Sequence, residues 1–307
     1  MTTTKAADVD MSNYRPPKIF IRDAPDHIIG EIASYVVQGV KTQQDEPAPA
    51  RNWFPVLGVC RKWRNAIERH AEVWAEVAIG SVKSLEAFLV RSINRPLTIK
   101  GTLASADDTS DVTKLDMIMV HAFRLRSLRL TEISCAVWER LESATTYGQT
   151  SQLEELEIRR DGLRTERTDV LSRRFSSDKF RRLWFSGFHY DDLKPLLLPS
   201  LPQLTSLTLV NVEWSPTISQ VMGILREMVT LESLTLGVQM VPSPNTRQAV
   251  FLPVLASLVL YTFCGPTEIE ILWILDAPSL ECPCLKIIPY GNLNHKFDAA
   301  GELVAAC

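Results

Sequence analysis

Cys282-Pro283-Cys284 places two thiols close enough along the chain to suggest a metal pair. A structural zinc site needs a second pair of cysteine or histidine ligands at matching spacing. The remaining cysteines, at 60, 135, 264 and 307, supply none, and the histidines at 27, 70, 121, 189 and 295 sit in unrelated contexts. Asp191-Asp192 after His189 reads as a helix start rather than a site. The nucleophile-elbow, zincin and phosphate-loop signatures are absent. With 13 glycines in 307 residues, loops that cradle a cofactor are scarce. The expectation is a chain without catalytic residues, cofactor or metal. The chemistry left is recognition. One candidate is the apolar side of the run Val59-Cys60-Arg61-Lys62-Trp63-Arg64, whose basic residues read as a solvated helix face. The other is a group of charges with one aromatic: Arg129, Glu155, Glu157, Arg159, Arg182 and Trp184.

The elements that must position these groups follow from periodicity. Wound as one helix, residues 53–74 bring Val56, Cys60, Trp63, Ile67 and Trp74 to one side, with Val59, Ala66 and Leu57 on its flanks. Arg61, Lys62, Arg64, Asn65, Glu68 and Arg69 take the other side. The apolar arc is wider than a surface helix needs, so it must bury against more than one neighbour. Upstream, Asp23 reads as an N-cap with Pro25 in the first turn, and Ile28, Ile29, Ile32, Tyr35 and Val36 predict a helix over 24–38. Residues 39–51 are polar with two prolines and predict an exposed loop.

Beyond about residue 95 a unit recurs, apolar-x-x-Leu-x-apolar. Copies start at Leu125, Leu153, Phe180, Leu204, Leu231 and Leu255, at intervals of 28, 27, 24, 27 and 24 residues. Arg95 to Ile99 and Leu280 to Ile288, the latter interrupted by Pro283, look like degenerate first and last strands. Val112–Phe123, Cys135–Ala144, Thr217–Met228 and Thr267–Leu275 have helical patterning or caps. Helix-sized connections force parallel pairing of the strands. The period is similar to that of leucine-rich repeats. Alternation then sends positions four and six of each copy inward and positions three, five and seven to the open face. That face carries Ser127, Arg129, Glu155, Glu157, Arg159, Arg182 and Trp184 on the earlier strands. Later strands carry Ser206, Thr208, Ser233, Thr235, Ser257, Val259 and Tyr261.

Composition narrows the class. Apolar residues make up 46%, enough for a sizeable core, and the net charge of −3 gives no reason to expect nucleic acid as the main partner. No run of 18 apolar residues exists and the polar start has no apolar signal core, so neither a membrane nor secretion is expected. A soluble cytoplasmic or nuclear protein is the expectation.

Residues 22–76 resemble an F-box. Ala24-Pro25 with Ile28-Ile29 and Ile32 stands where that family opens, followed by Val59-Cys60-Arg61-Lys62-Trp63-Arg64 and Val73-Trp74. An F-box followed by irregular leucine-rich repeats is similar to F-box proteins of mushroom-forming fungi. The resemblance implies a mixed α/β chain: a disordered tail over 1–21, an F-box-like helical module over 22–80, a leucine-rich-repeat solenoid with a curved parallel sheet over 81–290, and a C-terminal tail over 291–307. It also implies a partner, the Skp-type adaptor of a cullin-based ubiquitin ligase. Pro25, Ile28, Ile29, Ile32, Val56, Leu57, Cys60 and Trp63 are then the candidates for that interface or its supporting core. An unknown protein substrate would dock on Arg129, Glu155, Glu157, Arg159, Arg182 and Trp184. Two alternatives stand beside it: a repeat scaffold whose F-box-like helices only cap its open end, and an unrecognised α/β enzyme.

Overall fold

A computed structural model describes residues 24–42, 54–104, 108–143, 152–159, 175, 177–188, 202–212, 216–238, 240–242, 249–262, 272, 274–280 and 285–289. The expected tails over 1–21 and 291–307, the cap Asp23, His189 with Asp191-Asp192, Thr267 and the Cys282-Pro283-Cys284 pair lie outside them.

The helix of residues 24–38 forms as α1, Asp26–Thr42, reaching into the stretch expected to be loop; residues 43–53 lie outside the described residues. Residues 53–74 are not one helix. Phe54–Gly58 is a 3-10 turn, α2 spans Arg61–Arg69 and α3 spans Ala71–Trp74. Cys60 is fully extended (φ −163°, ψ 171°) and His70 is also out of helix (φ −89°, ψ 90°). Gly58 weakens the chain just before the first break. The breaks let one apolar segment meet the core from several directions, which a straight helix cannot. Arg64 Nε donates to the Leu57 carbonyl at 3.2 Å and ties the turn to α2. The Trp74 indole donates to the Ile67 carbonyl at 2.9 Å and folds α3 back on α2.

A parallel sheet follows, with nine strands among the described residues, ordered along the sheet as they are along the chain. They are β1 (Glu76–Ala78), β2 (Leu97–Leu103), β3 (Leu125–Ile133), β4 (Glu155–Arg159), β5 (Arg182–Ser186), β6 (Ser206–Val212), β7 (Ser233–Val238), β9 (Ser257–Thr262) and β11 (Leu285–Pro289). The short β8 (Val250–Phe251) and β10 (Leu275–Asp276) pair separately. Between strands run α4 (Val82–Arg91), α5 (Asp108–Val120), α6 (Cys135–Ser143) and α7 (Ile218–Leu225). The expected start of α7 is a full capping box: Thr217 accepts from the Gln220 amide and Gln220 from the Thr217 amide. Of the helix expected over 267–275, Leu272 and Ile274 are helical and Leu275 already belongs to β10.

The register turns the sequence repeat into ladders. Leu128, Leu156, Leu183, Leu207, Leu234, Leu258 and Leu285 stand side by side, as do Leu130, Ile158, Phe185, Leu209, Leu236, Leu260 and Ile287. From Leu128 to Leu260, both ladders are buried, as are the copy starts Leu125, Leu153, Phe180, Leu204, Leu231 and Leu255. By the same register the degenerate copies are corrected. Leu285 holds position four of the last copy, and Leu280 lies outside the strand. Ile99 holds position four on β2 and Val77 on β1. Trp74-Ala75-Glu76-Val77-Ala78-Ile79 is therefore a further copy that sequence reading missed, because no leucine marks it.

One hydrophobic cluster runs from Ile29, Trp63 and Ile67 through Trp74 and Val77 to Leu260, across residue 80 without a break. Trp74 sits at this junction, with Phe88 edge-on at 5.2 Å and the Arg91 guanidinium 4.5 Å from its ring centre. Gly30 of α1 is required by close approach: a Cβ there would lie 2.3 Å from His70 Nδ1 and 2.6 Å from its Cγ.

Candidate functional site

The apolar face of α1 divides in two. At 100° per residue, Ile28, Ile32, Tyr35 and Val36 form one arc and Ile29 with Ala33 continue it. Ile29 and Ala33 are buried, whereas Ile28, Ile32, Tyr35 and Val36 are 37, 40, 74 and 37% exposed. Pro25 is exposed at the helix start, where its carbonyl accepts from the Ile29 amide. Val59 is exposed, and Val56, Leu57 and Cys60 are half-buried against the core. Trp63 is buried, and its indole nitrogen has no hydrogen-bond partner among the described residues. Of the eight residues expected at a partner interface, Ile29 and Trp63 thus belong to the interior. Pro25, Ile28 and Ile32 are open, and Val56, Leu57 and Cys60 lie between.

The second expected surface is one face of the sheet. Register puts Ser127, Glu155, Arg182 and Ser206 in one row and Arg129, Glu157, Trp184 and Thr208 in the next. The charges are arranged in pairs. Arg129 reaches Glu155 at 3.0 Å and Glu157 at 3.9 Å, Arg182 reaches Glu155 at 3.1 Å, and Arg159 reaches Glu157 at 2.9 Å. The Arg159 guanidinium also stacks over Trp184, 4.1 Å from its ring centre. Ser127 stands on this face as expected but is covered there: it is buried, and its hydroxyl donates to Glu155 at 3.0 Å. Burial pushes the Glu155 carboxyl up. The hydrogen bonds from Arg129 and Ser127 and the charges of Arg129 and Arg182 outweigh it and hold the carboxyl below its ordinary range.

A depression of about 130 Å³ opens among Arg182, Trp184, Ser206, Thr208 and the Arg129–Glu155–Glu157 cluster. Sequence reasoning reached all six predicted face residues, and the structure brings them together. A second, larger depression of about 470 Å³ lies at the strand starts, between Pro96, Phe123, Arg126, Gln152 and Glu154. Nothing in the sequence pattern pointed to it.

Beside it lies Arg124, a residue that sequence reasoning also missed. It is buried, and its Nη1 and Nη2 donate to the Leu89, Ile93 and Arg95 carbonyls and the Ser92 hydroxyl, closing the C-terminal end of α4. Its only sequence signal is a basic residue just before a strand.

No protein-family model matches the chain, and no curated protein matches it. Among the described residues, no group of three or more His, Cys, Asp and Glu side chains is placed to hold a metal ion. No described helix is long and apolar enough to cross a membrane.

Proposed function

We propose that the chain is a substrate-recognition subunit of a Skp–cullin–F-box ubiquitin ligase and works in the cytoplasm or nucleus. In this reading α1–α3 is an F-box module that docks on a Skp-type adaptor. The serial parallel sheet is a leucine-rich-repeat arc whose open face, around Trp184, holds a protein substrate. The ligase chemistry belongs to the partners. The observation that carries the reading is the divided face of α1: Ile29 and Ala33 are in the core while Ile28, Ile32, Tyr35 and Val36 lie open beside them. An apolar strip left in water next to a completed core is what a partner covers.

Co-expression with a Skp-type adaptor tests this. The wild-type chain should co-purify with the adaptor. An Ile28→Glu/Ile32→Glu variant should lose it, weakening binding by about 30-fold or more, the effect of removing a central anchor worth ~2 kcal/mol. Both side chains are part-exposed, so the variant should stay folded, read as a cooperative melt.

One observation favours a second reading, in which the helices only cap the sheet. The core is continuous from Trp63 and Trp74 into β1, the edge strand, so α1–α3 also close that end. A folded chain indifferent to the adaptor would favour the cap.

A further inference from the structure

The depression beside Trp184 is lined by donors that the fold itself does not use. Arg182 holds Glu155 through Nη1 alone, and its side chain is 62% exposed. Trp184 Nε1, Ser206 Oγ and Thr208 Oγ1 have no hydrogen-bond partner among the described residues. The two carboxylates at the rim are already engaged: Glu155 by Arg129, Arg182 and Ser127, and Glu157 by Arg159. Three arginines against two glutamates leave the cluster with one positive charge in excess. Open donors plus one uncompensated cation describe a receptor for a single negative charge.

We propose that this depression binds one carboxylate side chain, aspartate or glutamate, of an extended peptide segment lying along the sheet face. The proposal rests on the reading of that face as the substrate surface and names the chemistry the surface selects. Volume argues for a side chain: about 130 Å³ is well below the roughly 300–1,000 Å³ of pockets that enclose whole small molecules. Charge argues for a carboxylate over a phosphate, because a dianion would meet the like charges of Glu155 and Glu157 at the rim, while the ion-paired group around the depression carries one excess cation. The surroundings argue for a peptide. Register continues the row of Ser206 onto Ser233 and Ser257 and the row of Thr208 onto Thr235, whose hydroxyls are likewise unpartnered among the described residues. A polar chain leaving the pocket therefore finds hydrogen-bonding groups in its path. Arg182 supplies the charge-assisted fork, Trp184 the flat wall and its N–H, and Arg159 fixes the ring by stacking on it.

The test uses the immobilised full-length chain and three pools of random seven-residue peptides. All are N-acetylated and C-amidated and lack other acidic residues, with a central glutamate, glutamine or phosphoserine. The glutamate pool should be retained about 10-fold or more over the glutamine pool, the scale of a charge-assisted hydrogen bond. Arg182→Gln should bring the two to parity while the chain still melts cooperatively, as a folded protein does. Equal retention of the two pools, lost in Trp184→Ala, would overturn the carboxylate assignment and leave the face as a docking surface. Phosphoserine retained above glutamate would overturn it in favour of a dianion site. A glutamate preference that survives both substitutions, or no retention of any pool, would overturn the site and the reading of the face together.

Discussion

Glu155 shows how a charged residue on a sheet face is held. Its carboxyl accepts from Ser127, Arg129 and Arg182 and faces the water with only a quarter of its side chain. Because these donors keep its folded pKa below the ordinary glutamate value, it stabilises the fold above that ordinary value, about 4.3. The stabilisation is lost as pH falls through the lowered folded pKa. Urea midpoints between about pH 6 and pH 3 should therefore fall less steeply for Glu155→Gln than for wild type. Equal slopes would mean the network does not favour the ionised form. The same residue explains why the open face was legible from its pattern but its internal pairing was not. Alternation names which side chains share a face, whereas register decides that Glu155 stands between Ser127 and Arg182.

Helix α4 ends by a device that no sequence rule announces. Ser92 caps it, and Ile93 turns the chain in the left-handed region at φ 50°. A β-branched residue is costly there, and glycine is the usual occupant of this position. Arg124, some thirty residues downstream, pins the Leu89 and Ile93 carbonyls from the other side. Ile93 is 61% exposed, so it gives little burial in return for the strain. Ile93→Gly should raise stability by roughly 1 kcal/mol, read as a higher thermal or urea midpoint. An unchanged or lower midpoint would mean that contacts of the isoleucine outweigh its backbone strain.

At the scale of the molecule, the helices and the sheet share one core, and Trp74 is the residue that joins them. Its indole bonds to α2, its ring packs on Phe88 of α4, and its own strand copy begins the sheet. Trp74→Ala should cost roughly 3–5 kcal/mol. Amide exchange should then rise together in α1, α2, β1 and β2, as expected for one cooperative unit. Protection kept in β1 and β2 while α1 and α2 exchange would show two separate units instead.

Sequence alone determined the parallel α/β character, since a repeated apolar-x-x-Leu-x-apolar unit with helix-sized gaps leaves the strands no other way to pair. It also determined which side chains of each strand face inward, because strand alternation is local. Tertiary structure decided where residues 53–74 break, because the positions of Trp63, Ile67 and Trp74 depend on α1 and β1. It decided that Trp74 starts a strand copy, which only pairing with β2 reveals. It decided which half of the α1 apolar arc is covered. Ile28 and Ile29 are the same residue type one position apart, and only the packing of α1 on α2 and α3 puts one in solvent and the other in the core.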